Sequence, residues 1–179
     1  MSSDFDEKVA VEEAGLPRID IVRNLFREYE RSVEAPACFE DFERELDTLP
    51  GEYAPPVGGL FLALRDTRPV GCVAIRPQNG LTAEVKRLFV KAPYRRSGIG
   101  LCLMMAAISH AKRAGINELM LETLPTMHAA IELYRQLGFV PAPAYHHPTA
   151  PGVRLLIKEL GIRRAQALFW FWRDKSKTS

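Results

Sequence analysis

Residues 83–115, AEVKRLFVKAPYRRSGIGLCLMMAAISHAKRAG, change character halfway along. Up to Val90 charged and apolar residues mix, so the run reads as a strand that is not buried on both faces. From Gly100 a nearly continuous apolar run predicts a helix to about Ala114, closed by Gly115 in the position that favours a left-handed cap. Between them lies YRRSGIG, residues 94–100. A strand that feeds a helix through glycines presents unpaired backbone N–H groups at the positive end of the helix. Glycine also removes the Cβ that would block close approach. Such a corner suits an anion, most often phosphate. Arg95 and Arg96 add charge and Ser97 adds a hydroxyl donor. A glycine turn used only for tight packing is the competing reading. A P-loop is excluded because no Gly, four residues, Gly-Lys-Ser/Thr run exists, and a dinucleotide fingerprint would need glycine where Leu103 stands.

The strand before the corner carries a second signal. Val85 is apolar on one parity, whereas Leu88 and Val90 are apolar on the other. A parity switch inside a strand is what a β-bulge produces, and bulges re-aim groups beside active sites. Here it would turn the backbone amides of Leu88, Phe89 and Val90 toward an extended ligand.

The flanking sequence supplies the other elements. Residues 9–14 predict a short strand, and Ile19, Val22, Leu25, Phe26, Tyr29 and Val33 recur at helical spacing after Pro17. Phe39, Phe42, Leu46 and Leu49 predict a second, short helix ending before Pro50 and Gly51. GEYAPPVGG is a loop, and LFLALRD with PVGCVAIRP form a hairpin turning at residues 66–68. Beyond Gly115 come a strand, INELMLETL, and a helix marked by Met127, Ala130, Ile131, Tyr134 and Leu137 and closed by Gly138. A proline-dense loop then leads to a last strand, VRLLIKEL. The order is β-α-α-β-β-β-α-β-α-β, a mixed α/β layer structure without internal repeats.

The chain has 179 residues, 47% hydrophobic and 26% charged, which fits one globular domain. No apolar run approaches membrane-spanning length, and the acidic start MSSDFDEKVA lacks the apolar core of a signal peptide. Three scattered cysteines, Cys38, Cys72 and Cys102, predict free thiols in a reducing cytoplasm. None of the four histidines stands at zinc-ligand spacing from a cysteine, so no metal is expected. The net charge of +2 conceals 14 acidic and 6 basic residues in the first 50, against a strongly basic remainder. That asymmetry suits a polyanionic ligand, either a nucleic acid or a phosphorylated cofactor, or it is ordinary segregation of surface charge. The basic residues are spread over several elements with no recognition motif, which disfavours nucleic acid.

EVKRLFVKAPYRRSGIGLCLM resembles the acetyl-CoA-binding core of the GNAT superfamily of N-acetyltransferases. The family signature Arg/Gln-x-x-Gly-x-Gly/Ala is met by Arg95, Gly98 and Gly100, and AAIELYRQLGF resembles the family's later helix. The resemblance covers roughly residues 8–160. It implies a single domain, residues 1–160, with a mixed, mostly antiparallel central sheet flanked by helices, and a separate tail, residues 161–179. It further implies acetyl-CoA as co-substrate, its pantetheine arm pairing with the bulged backbone of Leu88, Phe89 and Val90 like an added strand. The diphosphate would sit on the amides of Arg96, Ser97, Gly98, Ile99 and Gly100, with Arg95 and Arg96 near the phosphates.

By the same resemblance Glu84, at the start of the bulged strand, is the candidate base acting through water, and Tyr134 the candidate acid toward the coenzyme sulfur. An exposed strand carboxylate and a core tyrosine are the plain structural alternatives for these two. Many family members carry Asn where this chain has Met127, so no side-chain hydrogen bond to the cofactor is expected there. Tyr53, Tyr145, His146 and His147 are candidates to line the acceptor side. The implied activity is acetyl transfer to a primary amine of a small molecule. A protein lysine or N-terminus as acceptor, and a non-catalytic acyl-CoA-binding module, remain alternatives. The tail, GIRRAQALFWFWRDKSKTS, has aromatic residues at helical spacing and is expected to cover that face on its own domain or on a second copy in a homodimer.

Overall fold

The computed structural model describes residues 9–33, 39, 41–143 and 152–161. Seven strands form one sheet: β1 (Val9–Glu13), β2 (Gly59–Arg65), β3 (Arg68–Pro77), β4 (Thr82–Val90), β5 (Glu118–Thr123), β6 (Val140–Pro141) and β7 (Arg154–Glu159). Their order is β1-β2-β3-β4-β5-β7-β6, and every neighbouring pair is antiparallel except β4 and β5. The helices are α1 (Ile19–Ser32), α2 (Phe42–Asp47), α3 (Ile99–Arg113) and α4 (His128–Gln136).

Alternation along the central strands sorts the core into two layers. Phe61 and Ala63 of β2 and Val73 and Ile75 of β3 meet Ile99, Leu103, Met104 and Ala107 of α3. Leu60 and Leu62 of β2 and Cys72 and Ala74 of β3 meet Val22, Leu25 and Phe26 of α1 and Phe42 and Leu46 of α2. Strands covered on both sides read as unbroken apolar runs, which is why LFLALRD and GCVAI carry so few polar residues. The hairpin between β2 and β3 turns through Asp66 and Thr67, both at positive φ, so the two-residue turn follows the twist of its strands.

Sequence expectation and structure differ in two elements. β6 is an additional strand of two residues, too short to show alternation, added at the sheet edge beside β7. The second helix begins at Phe42, because Asp41 is in the left-handed region and cannot extend the helix back toward Phe39.

The expected bulge is present. Ala74 pairs with Lys86 and Cys72 with Phe89, so β4 spends one more residue than β3 over this stretch. Arg87 sits inside it at φ 57°. The consequence is a switch of faces: Val85 belongs to the α3 layer, Phe89 to the α1 layer, and Leu88 and Val90 return to the α3 layer. Lys86 and Arg87, neighbours in sequence, thereby both line the same cleft.

Candidate active site

β4 and β5 pair only through Thr82, Ala83 and Glu84 against Glu118, Leu119 and Met120. Beyond that point β5 stays with β7 while β4 stays with β3, so the sheet splits and the free edge of β4 faces an opening. A parallel pair cannot remain in register across a bulge on one member, and the bulge lies where the split begins. The opening is a cleft of about 260 Å³. Its walls include Tyr29 of α1, Glu84, Lys86, Arg87 and Leu88 of β4, Thr123 of β5, and Met127 and Tyr134 around α4.

Glu84 is almost fully enclosed, with a side-chain exposure of 6%. Its Oε2 accepts from Arg76 Nη2 at 2.6 Å, Arg76 Nε at 3.2 Å and Gln78 Nε2 at 2.8 Å. Among the described residues its Oε1 meets one donor, Lys86 Nζ, at 3.4 Å. The carboxylate is therefore gripped mainly by one oxygen, and the other has a single long contact. Tyr134 lies on the far wall, buried against Phe139. Burial, with a smaller contribution from Tyr29, pushes its hydroxyl well above the ordinary tyrosine value, so it stays an O–H donor. No described residue hydrogen-bonds that hydroxyl.

A second buried pair supports the wall. Arg87 donates Nε to Glu45 Oε1 at 2.9 Å and Nη2 to Glu45 Oε2, a bidentate pair. The Arg87 guanidinium also lies over the rings of Phe39 and Phe42, at 4.7 and 5.1 Å. Burial would push Glu45 up, but the Arg87 bonds and charge, with the Tyr53 hydroxyl, outweigh it and hold the carboxyl below its usual range. Tyr53 corrects an expectation. Its ring is buried edge-on against Phe26 and its hydroxyl donates to Glu45 Oε1 at 2.6 Å, so it holds the wall from behind and does not line the cleft.

At the corner, Arg96 and Gly98 take positive φ, 62° and 82°. Among the described residues the backbone N–H groups of residues 96–101 find no backbone acceptor; the first to do so is Cys102, which donates to Gly98 O. Six N–H groups in and before the first turn of α3 are thus left without a backbone acceptor. A Cβ added at Gly98 would meet nothing within 4 Å, whereas one at Gly100 would touch Leu133 of α4 at 3.4 Å. Two side chains behave differently from expectation. Ser97 donates its hydroxyl to Tyr94 O, so it offers an anion its amide and not its O–H. Arg95 donates Nε to Val90 O and lies toward Phe89, folded back on β4.

Of the residues expected to pair with the coenzyme, Leu88 lines the cleft, while Phe89 is buried in the α1 layer and Val90 packs against the α3 layer. Met127 lines the cleft and takes a long contact from Thr123 Oγ1, 3.8 Å to its sulfur. Tyr145, His146 and His147 fall outside the described residues, as does the tail from residue 162. Arg76, Lys86, Arg87 and Glu45 went unread in the sequence. The first was within reach: the Asn79–Gly80 turn joins β3 to β4 and sets Arg76 opposite Glu84. Nothing in the sequence links Glu45 to Arg87.

Among the described residues no cluster of His, Cys, Asp and Glu could hold a metal ion, and no helix is long and apolar enough to cross a membrane. Residues 19–139 match the model of the acetyltransferase (GNAT) family. An uncharacterized N-acetyltransferase of Schizosaccharomyces pombe is 30% identical over 149 residues, covering 81% of this chain and 91% of its own length. A GNAT-family acetyltransferase from Staphylococcus aureus superposes with a TM-score of 0.72 at 18% identity, covering 86% of this chain and 99% of the other. The PaiA N-acetyltransferase of Thermoplasma acidophilum, solved in complex with coenzyme A, does so with a TM-score of 0.69 at 16% identity, covering 85% and 99%.

Proposed function

Because the chain belongs to the GNAT family of acetyltransferases, we propose that it moves an acetyl group from acetyl-CoA to the primary amine of a small molecule by direct attack within a ternary complex. The observation that carries this reading is the split between β4 and β5, with six unpaired amides at residues 96–101 and Glu84 and Tyr134 on its walls. Those amides would take the diphosphate, with Gly98 leaving the approach open. The free edge of β4 around Leu88 would pair with the amide groups of the pantetheine arm. Acetyl-CoA supplies the activated acyl group.

The remaining work falls to this chain's side chains. An unperturbed alkyl amine has a pKa near 10, about that of a lysine side chain, so at neutral pH it arrives as an ammonium and must lose a proton before it can attack. Glu84 receives that proton through water at Oε1, the oxygen its clamp leaves open. As the new carbon–nitrogen bond forms and the carbon–sulfur bond breaks, Tyr134 donates its proton to the departing thiolate. A cleft of about 260 Å³ matches a small molecule in size. The test is to incubate the protein with acetyl-CoA and a panel of primary amines, following thiol release and identifying the acetylated amine by mass spectrometry. Thiol release that depends on the amine supports the reading; none with any amine sinks it.

A further inference from the structure

Three cations line the cleft, and they are not equally engaged. Arg87 is closed by Glu45 and by two aromatic rings. Arg76 is closed by Glu84 Oε2 and by Glu52 Oε2 at 3.2 Å. Lys86, two residues beyond Glu84 and on the same face, has three N–H donors and, among the described residues, one hydrogen-bond partner, Glu84 Oε1, at 3.4 Å. Charge-assisted bonds close at about 2.7–2.9 Å, so this pair is open. The nearby carboxylates have stronger donors: Glu84 Oε2 takes three N–H groups, and Glu45 is taken by Arg87 and Tyr53. Glu122, the third carboxylate of the cleft, projects from β5.

An ammonium donor and a carboxylate oxygen one long hydrogen bond apart, both largely removed from water, are the complement of a zwitterion. An α-amino acid carries an ammonium and a carboxylate on the same carbon, so it can turn its nitrogen, through the water, toward Glu84 Oε1 and set its carboxylate at Lys86 Nζ. Lys86 would then gain a close anionic partner beside its 3.4 Å contact to Glu84, which a bare alkyl amine cannot provide.

We propose that the acceptor is a free amino acid or a close amino-carboxylate, with Lys86 as the residue that recognises its carboxylate. This rests on the acetyltransferase reading and narrows it. A peptide N-terminus has an amide carbonyl where the free amino acid has a carboxylate, and a protein lysine has no charge near its amine, so neither would engage Lys86 in this way.

The test is a matched panel given with acetyl-CoA: the twenty amino acids and short ω-amino acids, beside their amides and their decarboxylated amines. For the best acceptor, kcat/KM should exceed that of its decarboxylated partner on the order of 10- to 100-fold, the scale of a charge-assisted hydrogen bond. Lys86→Met should collapse that ratio and Lys86→Arg should keep most of it. A merely structural loss would lower both substrates together and leave the ratio standing. Calorimetric binding of the preferred amino acid to the coenzyme-saturated protein should likewise vanish in Lys86→Met and survive in Lys86→Arg. Turnover of decarboxylated amines equal to that of the acids, no turnover of any acid, or an unchanged ratio in Lys86→Met overturns the proposal. The first and last of these leave the acetyltransferase reading intact, because thiol release then still depends on an amine. Absence of thiol release with every amine, together with no stabilisation by acetyl-CoA, brings down the reading itself.

Discussion

Tyr134 and Glu84 both line one cleft, and in the proposed mechanism they act at the two ends of a proton path. The tyrosine hydroxyl is kept protonated by burial and has no described hydrogen-bond partner, which leaves it available to a ligand in the cleft. Tyr134→Phe removes that hydroxyl alone, and Glu84→Gln keeps the shape of the carboxylate while removing its basicity. Each is expected to bind acetyl-CoA and lose kcat by about 10²–10⁴, the usual worth of a positioned proton donor or acceptor. The two should part company with pH. The Glu84→Gln rate should climb as pH approaches the acceptor amine's own pKa, since solvent then removes the proton. The Tyr134→Phe rate should show no such recovery. Wild-type turnover in both variants with a verified acceptor would leave positioning of the substrates as the whole of the catalysis.

At the level of elements, the bulge in β4 joins catalysis to stability. It lets Arg87 reach Glu45 on α2, so a six-residue helix with little intrinsic stability is tied to the central sheet by a buried ion pair. Glu45→Gln removes the carboxylate that Arg87 grips from both sides of its fork and should destabilise the fold by about 3 kcal/mol at neutral pH, the low end for a broken buried pair because Glu45 retains some exposure. The carboxyl of Glu45 is depressed in the folded state, so its contribution is complete above the unfolded value, about 4.3, and is lost as pH falls through the folded one. Urea titrations should therefore find the gap between wild type and Glu45→Gln widest at neutral pH and narrowing below about pH 4. A gap independent of pH would mean the pair contributes nothing through its charge. The bulge itself was legible, because Val85 against Leu88 and Val90 is a local parity break written in adjacent residues. The glycine corner was legible for the same reason. What Arg87 does with the bulge was not: its partner lies 42 residues away on another element, and no periodicity records a pairing made only by tertiary packing. Tyr53 was misjudged on the same ground, since a tyrosine in a proline-rich loop gives no sign of whether its ring turns into the core. The two-residue β6 carried no pattern at all.

On the scale of the whole molecule, the corner and the cleft belong to one cooperative unit, because α3, which starts at the corner, packs its length against β2, β3 and β4. A ligand held at residues 96–101 and along β4 is bound only by the folded chain and must raise its melting temperature by mass action. At a hundred times its dissociation constant acetyl-CoA should add about 2.7 kcal/mol. For a domain of this size that corresponds to roughly 5–10 °C. Gly98→Val probes whether the gain comes through the corner. Gly98 stands at φ 82°, so valine carries a strain that lowers the melting temperature of the free protein. The informative quantity is therefore the difference with and without acetyl-CoA, measured within each protein. The wild type should show the full rise. The valine variant should show a much smaller rise, because the strain at φ 82° disturbs the backbone that presents those amides. A rise of equal size in both would place the coenzyme's diphosphate elsewhere on the molecule, and the six unpaired amides would need another ligand.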